Sequence, residues 1–223
     1  MADLTLRTDE ELPLYEQLRN ALIYGSYEPG QKLKIDLLKR DFSAGQNAIR
    51  EALVRLSVEG LVIAEDQKGF RVAPAGLDEL KDLAYMRDLL EAEAVGRSID
   101  VGDLEWEGRV AAALRKLNRT EEALLNNDAS VELWTRYDQE FHLALMSACG
   151  SKLMIRTYQD LFLKYRQYVV RELKTQGFRG REIIAEHLAI GEAALARDKE
   201  KCLALLHEHA NTYLNRQLKQ ERH

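Results

Sequence analysis

Proline is the residue that most restricts what this chain can become. All three prolines, Pro13, Pro29 and Pro74, fall in the first third, and none occurs from Ala75 to His223. Inside a helix, proline removes a backbone donor and clashes with the preceding turn. The long second stretch is therefore free to form extended helices, whereas the first third must consist of short elements separated by turns. The run Ala73-Pro74-Ala75-Gly76 marks the change. These signals predict a first domain over residues 1–74, a linker at 75–76 and an all-helical domain over 77–223.

In the first third, Leu14, Leu18, Ala21 and Leu22 recur at helical spacing and predict a helix ending near Gly25. Tyr27-Glu28-Pro29-Gly30 reads as a turn. A second helix is expected over about Asp36–Phe42, with Leu37, Leu38 and Phe42 inward. Ser43-Ala44-Gly45 breaks it. A third begins near Gln46, carries Ile49, Ala52, Leu53 and Leu56 on one face, and ends at Gly60. Leu61–Ala64 and Phe70–Ala73 read as two strands of a hairpin closed by Asp66-Gln67-Lys68-Gly69, where Gly69 can take a positive φ. Three helices and a hairpin give a mainly α chain with an N-terminal winged helix-turn-helix and a two-stranded wing.

In that architecture the start of the third helix meets base edges in the major groove of double-stranded DNA. Gln46, Asn47 and Arg50 occupy that position, and their side chains suit adenine and guanine. Lys68, Gly69 and Arg71 lie on the wing, where they can meet phosphate or the minor groove. Charge neither supports nor excludes this. The net charge is -5. Residues 1–75 hold ten Lys and Arg against twelve Asp and Glu, and residues 31–71 hold eight against six. A small helical domain with a hairpin also serves as a protein-interaction module, and pattern alone leaves both readings open.

The runs Leu14-Tyr15-Glu16-Gln17-Leu18, Tyr27-Glu28-Pro29-Gly30-Gln31-Lys32-Leu33, Ile49-Arg50-Glu51-Ala52-Leu53-Val54-Arg55-Leu56, Glu59-Gly60-Leu61-Val62 and Gly69-Phe70-Arg71-Val72 resemble the GntR family of transcription regulators. The likeness covers residues 12–73. It implies DNA binding through Arg50. Two departures thin the DNA-contacting equipment. Gly45-Gln46-Asn47-Ala48 stands where the family commonly has Ser-Arg-Thr-Pro, and Asp36 stands where an arginine is often found.

The second stretch predicts a bundle of six to seven antiparallel helices, six of them readable: Leu77–Ile99, Leu104–Leu125, Val131–Cys149, Leu153–Leu173, Glu182–Arg197 and Lys199–Lys219. Leu90, Ala94 and Arg97 give the first a stripe, and Asp198 can cap the last. Four of the five histidines lie here; the fifth is the terminal His223. Asp138 and His142, four apart, share a face with Trp134, Thr135 and Leu145. His187 sits beside Leu188 and Ile190, and His209 shares a face with Cys202, Leu206 and Tyr213. Ionisable groups on inward faces need partners. One Asp with two or three His is a nitrogen and oxygen donor set that suits zinc, nickel, manganese or iron and leaves positions open for a ligand. An Asp-x-x-x-His pair is equally the pattern of an ordinary hydrogen-bonded pair, and spacing alone leaves both readings standing.

Here too a resemblance adds to the residues. Tyr137-Asp138-Gln139-Glu140-Phe141-His142, Glu186-His187-Leu188-Ala189-Ile190 and the closing helix from Asp198 to His209 are similar to the FCD-type ligand-binding domain of the FadR branch of the GntR family. The likeness spans about residues 77–215. It implies one divalent metal per chain, zinc or nickel foremost and manganese or iron as alternatives, held by Asp138, His142, His187 and His209. His207 then falls outside the ligand set. The resemblance also implies a small carboxylate effector beside the metal, with Arg87, where the branch usually has an arginine, as its candidate anchor; Arg166 is a second candidate, and a surface ion pair is the other reading of either. Cys149-Gly150-Ser151, the wing sequence and the missing Ser-Arg-Thr-Pro are similar to carbon-starvation-induced repressors of this branch, which points to a dicarboxylate.

The expected protein is a cytoplasmic, homodimeric regulator, a repressor, on a near-palindromic operator. Its effector would alter the spacing of the two DNA-binding domains. The opening MADLTLRTDEELPLY does not resemble a signal peptide, no apolar run approaches a membrane span, and Cys149 and Cys202 cannot form a disulfide scaffold or a CxxC zinc site. The alternatives are a metal-dependent enzyme acting on a small organic acid, a regulator whose metal is only structural, and a metal-ion sensor without an organic effector.

Overall fold

A computed structural model describes residues 12–220. The acidic opening before Leu12 and the terminal His223 lie outside the described residues. The chain divides into two compact units, Met1–Gly76 and Leu77–His223.

The first unit runs α1 (Leu14–Ile23), β1 (Lys32–Leu33), α2 (Ile35–Asp41), α3 (Gln46–Val58), β2 (Val62–Glu65) and β3 (Gly69–Val72). Leu18, Leu22, Ile49, Leu53, Leu56 and Phe70 bury one core between the helices and the sheet. Gly60, with φ 75°, provides the left-handed residue that releases the chain from α3 into β2. The hairpin turn places Gln67 at φ 56° and Gly69 at φ 94°.

The sheet differs from the expected two-stranded wing. It has three strands in the order β1-β3-β2, with Leu33 opposite Phe70 and Val62 opposite Val72. A two-residue strand leaves no alternation to read in a sequence, so β1 was visible only through its pairing. Leu37, expected inward, is 43% exposed, and Leu38 carries the burial of α2.

The second unit consists of α4 (Leu77–Val101), α5 (Leu104–Leu125), α6 (Val131–Met146), α7 (Lys152–Gln176), α8 (Arg181–Leu195) and α9 (Lys199–Gln220). Side-chain caps set the starts. Asp103 accepts from the Trp106 amide at 2.9 Å, Ser130 from Leu133 at 3.1 Å, Ser151 from Met154 at 3.2 Å and Asp198 from Lys201 at 3.2 Å. Helix α4 packs on α6, α7 and α9, while α8 bridges α5 and α9. Trp106, Leu117, Trp134, Phe141, Tyr158 and Phe162 form the core. The inward face of α4 differs from expectation. Arg97 is exposed and paired with Glu93, whereas Arg87 and Glu91 are buried beside Ala94 and Val95. Among the described residues, no helix is long and apolar enough to cross a membrane.

The turn between α4 and α5 is tight. A Cβ on Gly102 would lie 2.6 Å from the Ser98 carbonyl oxygen and 2.6 Å from the ring of Trp106. That ring is fully buried and its Nε1 donates to the Leu145 carbonyl at 3.1 Å, so it cannot retreat. Gly102→Ala should lower stability by about 1–3 kcal/mol, as overpacking does. Chemical denaturation checks this, and an unchanged midpoint would contradict the packing described.

Candidate functional site

Helix α3 carries the residues expected to contact DNA. Gln46, Asn47 and Arg50 are all exposed on its first turns, and the Arg50 side chain makes no hydrogen bond or ion pair among the described residues. The wing residues divide. Lys68 is exposed at the hairpin tip next to half-buried Gly69. Arg71 is occupied within the wing: its Nε lies 3.2 Å from Glu65 Oε1 and its Nη1 donates to the Gly30 carbonyl at 2.6 Å. It braces β3 to β2 and to the turn before β1.

In the helical unit, α6 supplies Asp138 and His142 one turn apart, α8 supplies His187 and α9 supplies His209. The donor atoms of His142, His187 and His209 lie within 4.8 Å of one another. Asp138 Oδ1 lies 3.3 Å from His187 Nε2 and 3.8 Å from His142 Nε2. The four residues expected to share a site are thus brought together from three helices. His207 stands apart, exposed and bonded through Nδ1 to Asp88 at 2.7 Å.

Each histidine is held from behind by a carboxylate. His142 Nδ1 pairs with Glu91 of α4, His187 Nδ1 with Glu121 of α5 at 2.7 Å, and His209 Nδ1 with Glu186 of α8 at 2.8 Å. Burial alone would raise the carboxyls of Glu91 and Glu186. Their histidine partners, with Arg87 for Glu91 and Arg179 for Glu186, outweigh it and hold both at about 2. Burial also depresses His142, and it takes His209 to about 3. Ionised carboxylates only accept, so Nδ1 carries the proton on His142 and His209 and the lone pair sits on Nε2. Nε2 of His142 and of His187 has no hydrogen-bond partner among the described residues, although both rings are fully buried.

A buried acceptor without a donor is costly. The two unpartnered Nε2 atoms lie beside a third imidazole and a carboxylate oxygen, a grouping that could hold a cation. The donor set fits a metal: three imidazoles with oriented rings, one carboxylate, and an outer carboxylate at each Nδ1. Sequence reasoning missed the roles of Glu91 and Glu121.

Beside the cluster lies a pocket with about 530 Å³ of empty space, mouth included. Its lining includes Arg87, Asp138, Arg166 and His209, with Trp134 and Phe178 on the apolar side. Both expected anchors are there, in different states. Arg166 bonds Asp138 Oδ2, and its guanidinium lies 4.5 Å from the ring of Phe162 and 4.7 Å from that of Trp134. Arg87 Nε is 3.5 Å from Glu91 Oε2, at ion-pair distance, but neither Nε nor Nη2 makes a hydrogen bond among the described residues. Burial opposes the Arg87 charge, yet Tyr158 and Glu91 more than offset this, and the guanidinium stays protonated.

Residues 11–72 match the family of bacterial regulatory proteins, gntR family, and residues 82–212 match the FCD domain. The chain belongs to the GntR family. It is 35% identical over 203 residues to the uncharacterized HTH-type transcriptional regulator BphR of Paraburkholderia xenovorans (strain LB400), covering 90% of this chain and 82% of that one. It is 32% identical over 201 residues to the HTH-type transcriptional repressor GlaR of Escherichia coli (strain K12), covering 89% and 91%. Among solved structures, Escherichia coli McbR/YncC superposes with a TM-score of 0.75 at 20% identity over 96% of this chain and all of that one. A GntR transcriptional regulator from Rhodococcus sp. RHA1 gives 0.74 at 24% identity over 92% and 96%. These two share the fold. The protein is a transcription regulator with an N-terminal GntR helix-turn-helix domain and a C-terminal FCD domain, and its relatives are regulators, not enzymes.

Without a cation, the cluster should make folding sensitive to acid. His209 has a folded value of about 3 against 6.5 in the unfolded chain, so the unfolded chain binds the extra proton between those values. Stability is fully present above pH 6.5 and is lost as pH falls toward 3. Glu91 and Glu186, at about 2 against 4.5, act with the same sign between pH 4.5 and 2. The melting temperature of chelator-treated protein should fall steadily from pH 7 to pH 4. A flat profile over that range would refute the buried, neutral assignment.

Proposed function

We propose that this regulator is a homodimeric repressor of the FadR branch whose grip on a near-palindromic operator is controlled by a small carboxylate bound beside a divalent cation. The observation that carries the proposal is the cluster of three histidines, each held at Nδ1 by a glutamate, facing Asp138 and bordering a pocket that Arg87 lines. Asp138, His142, His187 and His209 would hold the cation, with zinc or nickel the best match to three imidazoles and one carboxylate, and manganese or iron next. A cation there supplies positive charge and open coordination positions for an incoming carboxylate.

The chain's own residues do the rest. Glu91, Glu121 and Glu186 orient the imidazoles, and Arg166 holds the second oxygen of Asp138. Arg87 keeps unspent donors at the pocket for the anion. Gln46, Asn47 and Arg50 would read bases, and Lys68 would contact the backbone. The word repressor in the name of the relative GlaR supports the assigned sign. Effector control requires two arrangements with different affinity for the acid, because a ligand shifts an equilibrium only by its differential binding.

Elemental analysis of purified protein should give one metal per chain. Glu121→Gln should weaken metal affinity about 10- to 100-fold, the usual cost of losing a carboxylate behind a ligating histidine. An unchanged affinity would remove Glu121 from the site, and absence of any bound metal after reconstitution would end the cation reading. Metal that changes operator affinity with no acid present would point instead to a metal-ion sensor. For the DNA side, Arg50→Ala should cost about 1–3 kcal/mol of operator binding with the circular dichroism spectrum unchanged. Undiminished binding in a gel-shift titration would sink the role given to α3.

A further inference from the structure

The pocket beside the histidine cluster carries more information than its charged end. We infer that the effector is a monocarboxylate with a planar or slender apolar body, and that Phe178 sets this preference. The inference rests on reading this pocket as the effector site. It departs from the dicarboxylate expected from the sequence.

The polar groups around the pocket are mostly spent. Arg166 is paired with Asp138, and Glu172 with Arg216. Arg179 faces two acids, bonding Glu186 and lying 3.9 Å from Glu182. The Tyr165 hydroxyl donates to the Ala210 carbonyl at 3.1 Å, and the Tyr213 hydroxyl to the Tyr168 carbonyl at 2.9 Å, so neither is left to receive a ligand oxygen. Arg87 alone combines complete burial with two nitrogens that make no hydrogen bond among the described residues. The Arg179 Nε also lacks a partner, but a second carboxylate there would join Glu182 and Glu186 around a single guanidinium. Arg87 lies at ion-pair distance from Glu91, which holds His142, so Arg87 and the cation site stand at the same end of the pocket and would share one carboxylate. A second would be buried against acids or hydrocarbon, at a large desolvation cost.

The remaining wall is hydrocarbon: Trp134, Val169, Leu173, Phe178 and Ile183. Phe178 and Trp134 meet edge to face, ring centroids 5.8 Å apart at 72°. Aromatic rings so placed favour a planar or slender apolar guest. Phe178 sits in the turn between α7 and α8, with Gly177 at φ 83° and Gly180 at φ 68° on either side, conformations that L side chains rarely adopt. Those two glycines turn the chain so that Phe178, half-buried, packs on Trp134 while Arg179 reaches Glu186.

The test uses full-length protein reconstituted with zinc or nickel, its metal content measured on the same preparation, and calorimetric titration with five probes. Acetate reports the carboxylate contact alone; benzoate and hexanoate add an apolar body; succinate and glutarate add a second carboxylate. Benzoate or hexanoate should bind at least tenfold more tightly than succinate, glutarate and acetate. Phe178→Ala should weaken the better of the two roughly three- to tenfold, the scale of one lost aromatic contact, while leaving acetate binding and metal content unchanged. Phe178→Leu should retain most of the affinity. Preferred binding of succinate or glutarate would overturn the inference and leave the effector reading intact. So would equal loss of acetate and benzoate in Phe178→Ala, which would make the residue structural. Metal-loaded protein that binds none of the five would overturn both readings.

Discussion

The helical unit depends on a set of charges and imidazoles that water cannot reach. Glu91, Glu121, Asp138, His142 and His187 are each no more than 1% exposed, and Arg87 and Arg166 no more than 3%. Each buried ion costs several kcal/mol in effective desolvation, and only close pairing offsets it. The residues come from α4, α5, α6, α7 and α8, with His209 added by α9. A shift of any helix along its axis would unpair at least one member. The hydrophobic core sets how tightly the bundle packs. The polar network sets which register is allowed, because an apolar contact tolerates sliding and a Glu–His hydrogen bond does not.

This explains which parts of the site were legible in the sequence. Asp138 and His142 stand one turn apart among bulky apolar residues, so their inward direction could be read. His187 and His209 stood out because histidines are few and both lie on apolar faces. Glu91 and Glu121 carried no comparable signal. The chain has 37 acidic residues, most on solvated helix faces, and a glutamate bound for the core looks like the rest until its partner is placed against it. The same ambiguity put Arg97 on the inner face of α4, where Arg87 and Glu91 belong. A stripe of Leu90, Ala94 and Arg97 obeys helical spacing, but α4 is amphipathic in a way that hydrophobicity alone misses: part of its buried face is an ion pair.

In the winged helix unit the elements were legible and the division of labour among cations was not. Arg71 and Lys68 look alike in sequence, both basic residues on a hairpin. Pairing decides between them. Arg71 is opposite Lys32 and Ile63 in the sheet, within reach of Glu65 and the Gly30 carbonyl, and its guanidinium is used there. The Lys68 side chain, at the tip, makes no hydrogen bond or ion pair among the described residues. β1 is what makes this possible, since the strand and the turn before it put a backbone acceptor under Arg71.

The proposed effector control requires that an acid in the pocket be felt by the cluster. Arg179 lines the pocket and bonds Glu186, and Glu186 holds the Nδ1 of His209. Arg166 lines the pocket and bonds Asp138, which faces His142 and His187. Two guanidiniums of the pocket wall are thus tied to residues of the donor set. A carboxylate held at Arg87, as proposed, would compete with Glu91, which holds His142, and buried charge pairs do not stretch continuously at low cost. They hold or exchange partners. A small anion can therefore select between discrete arrangements of six helices without touching most of them, provided that its contacts differ between the two.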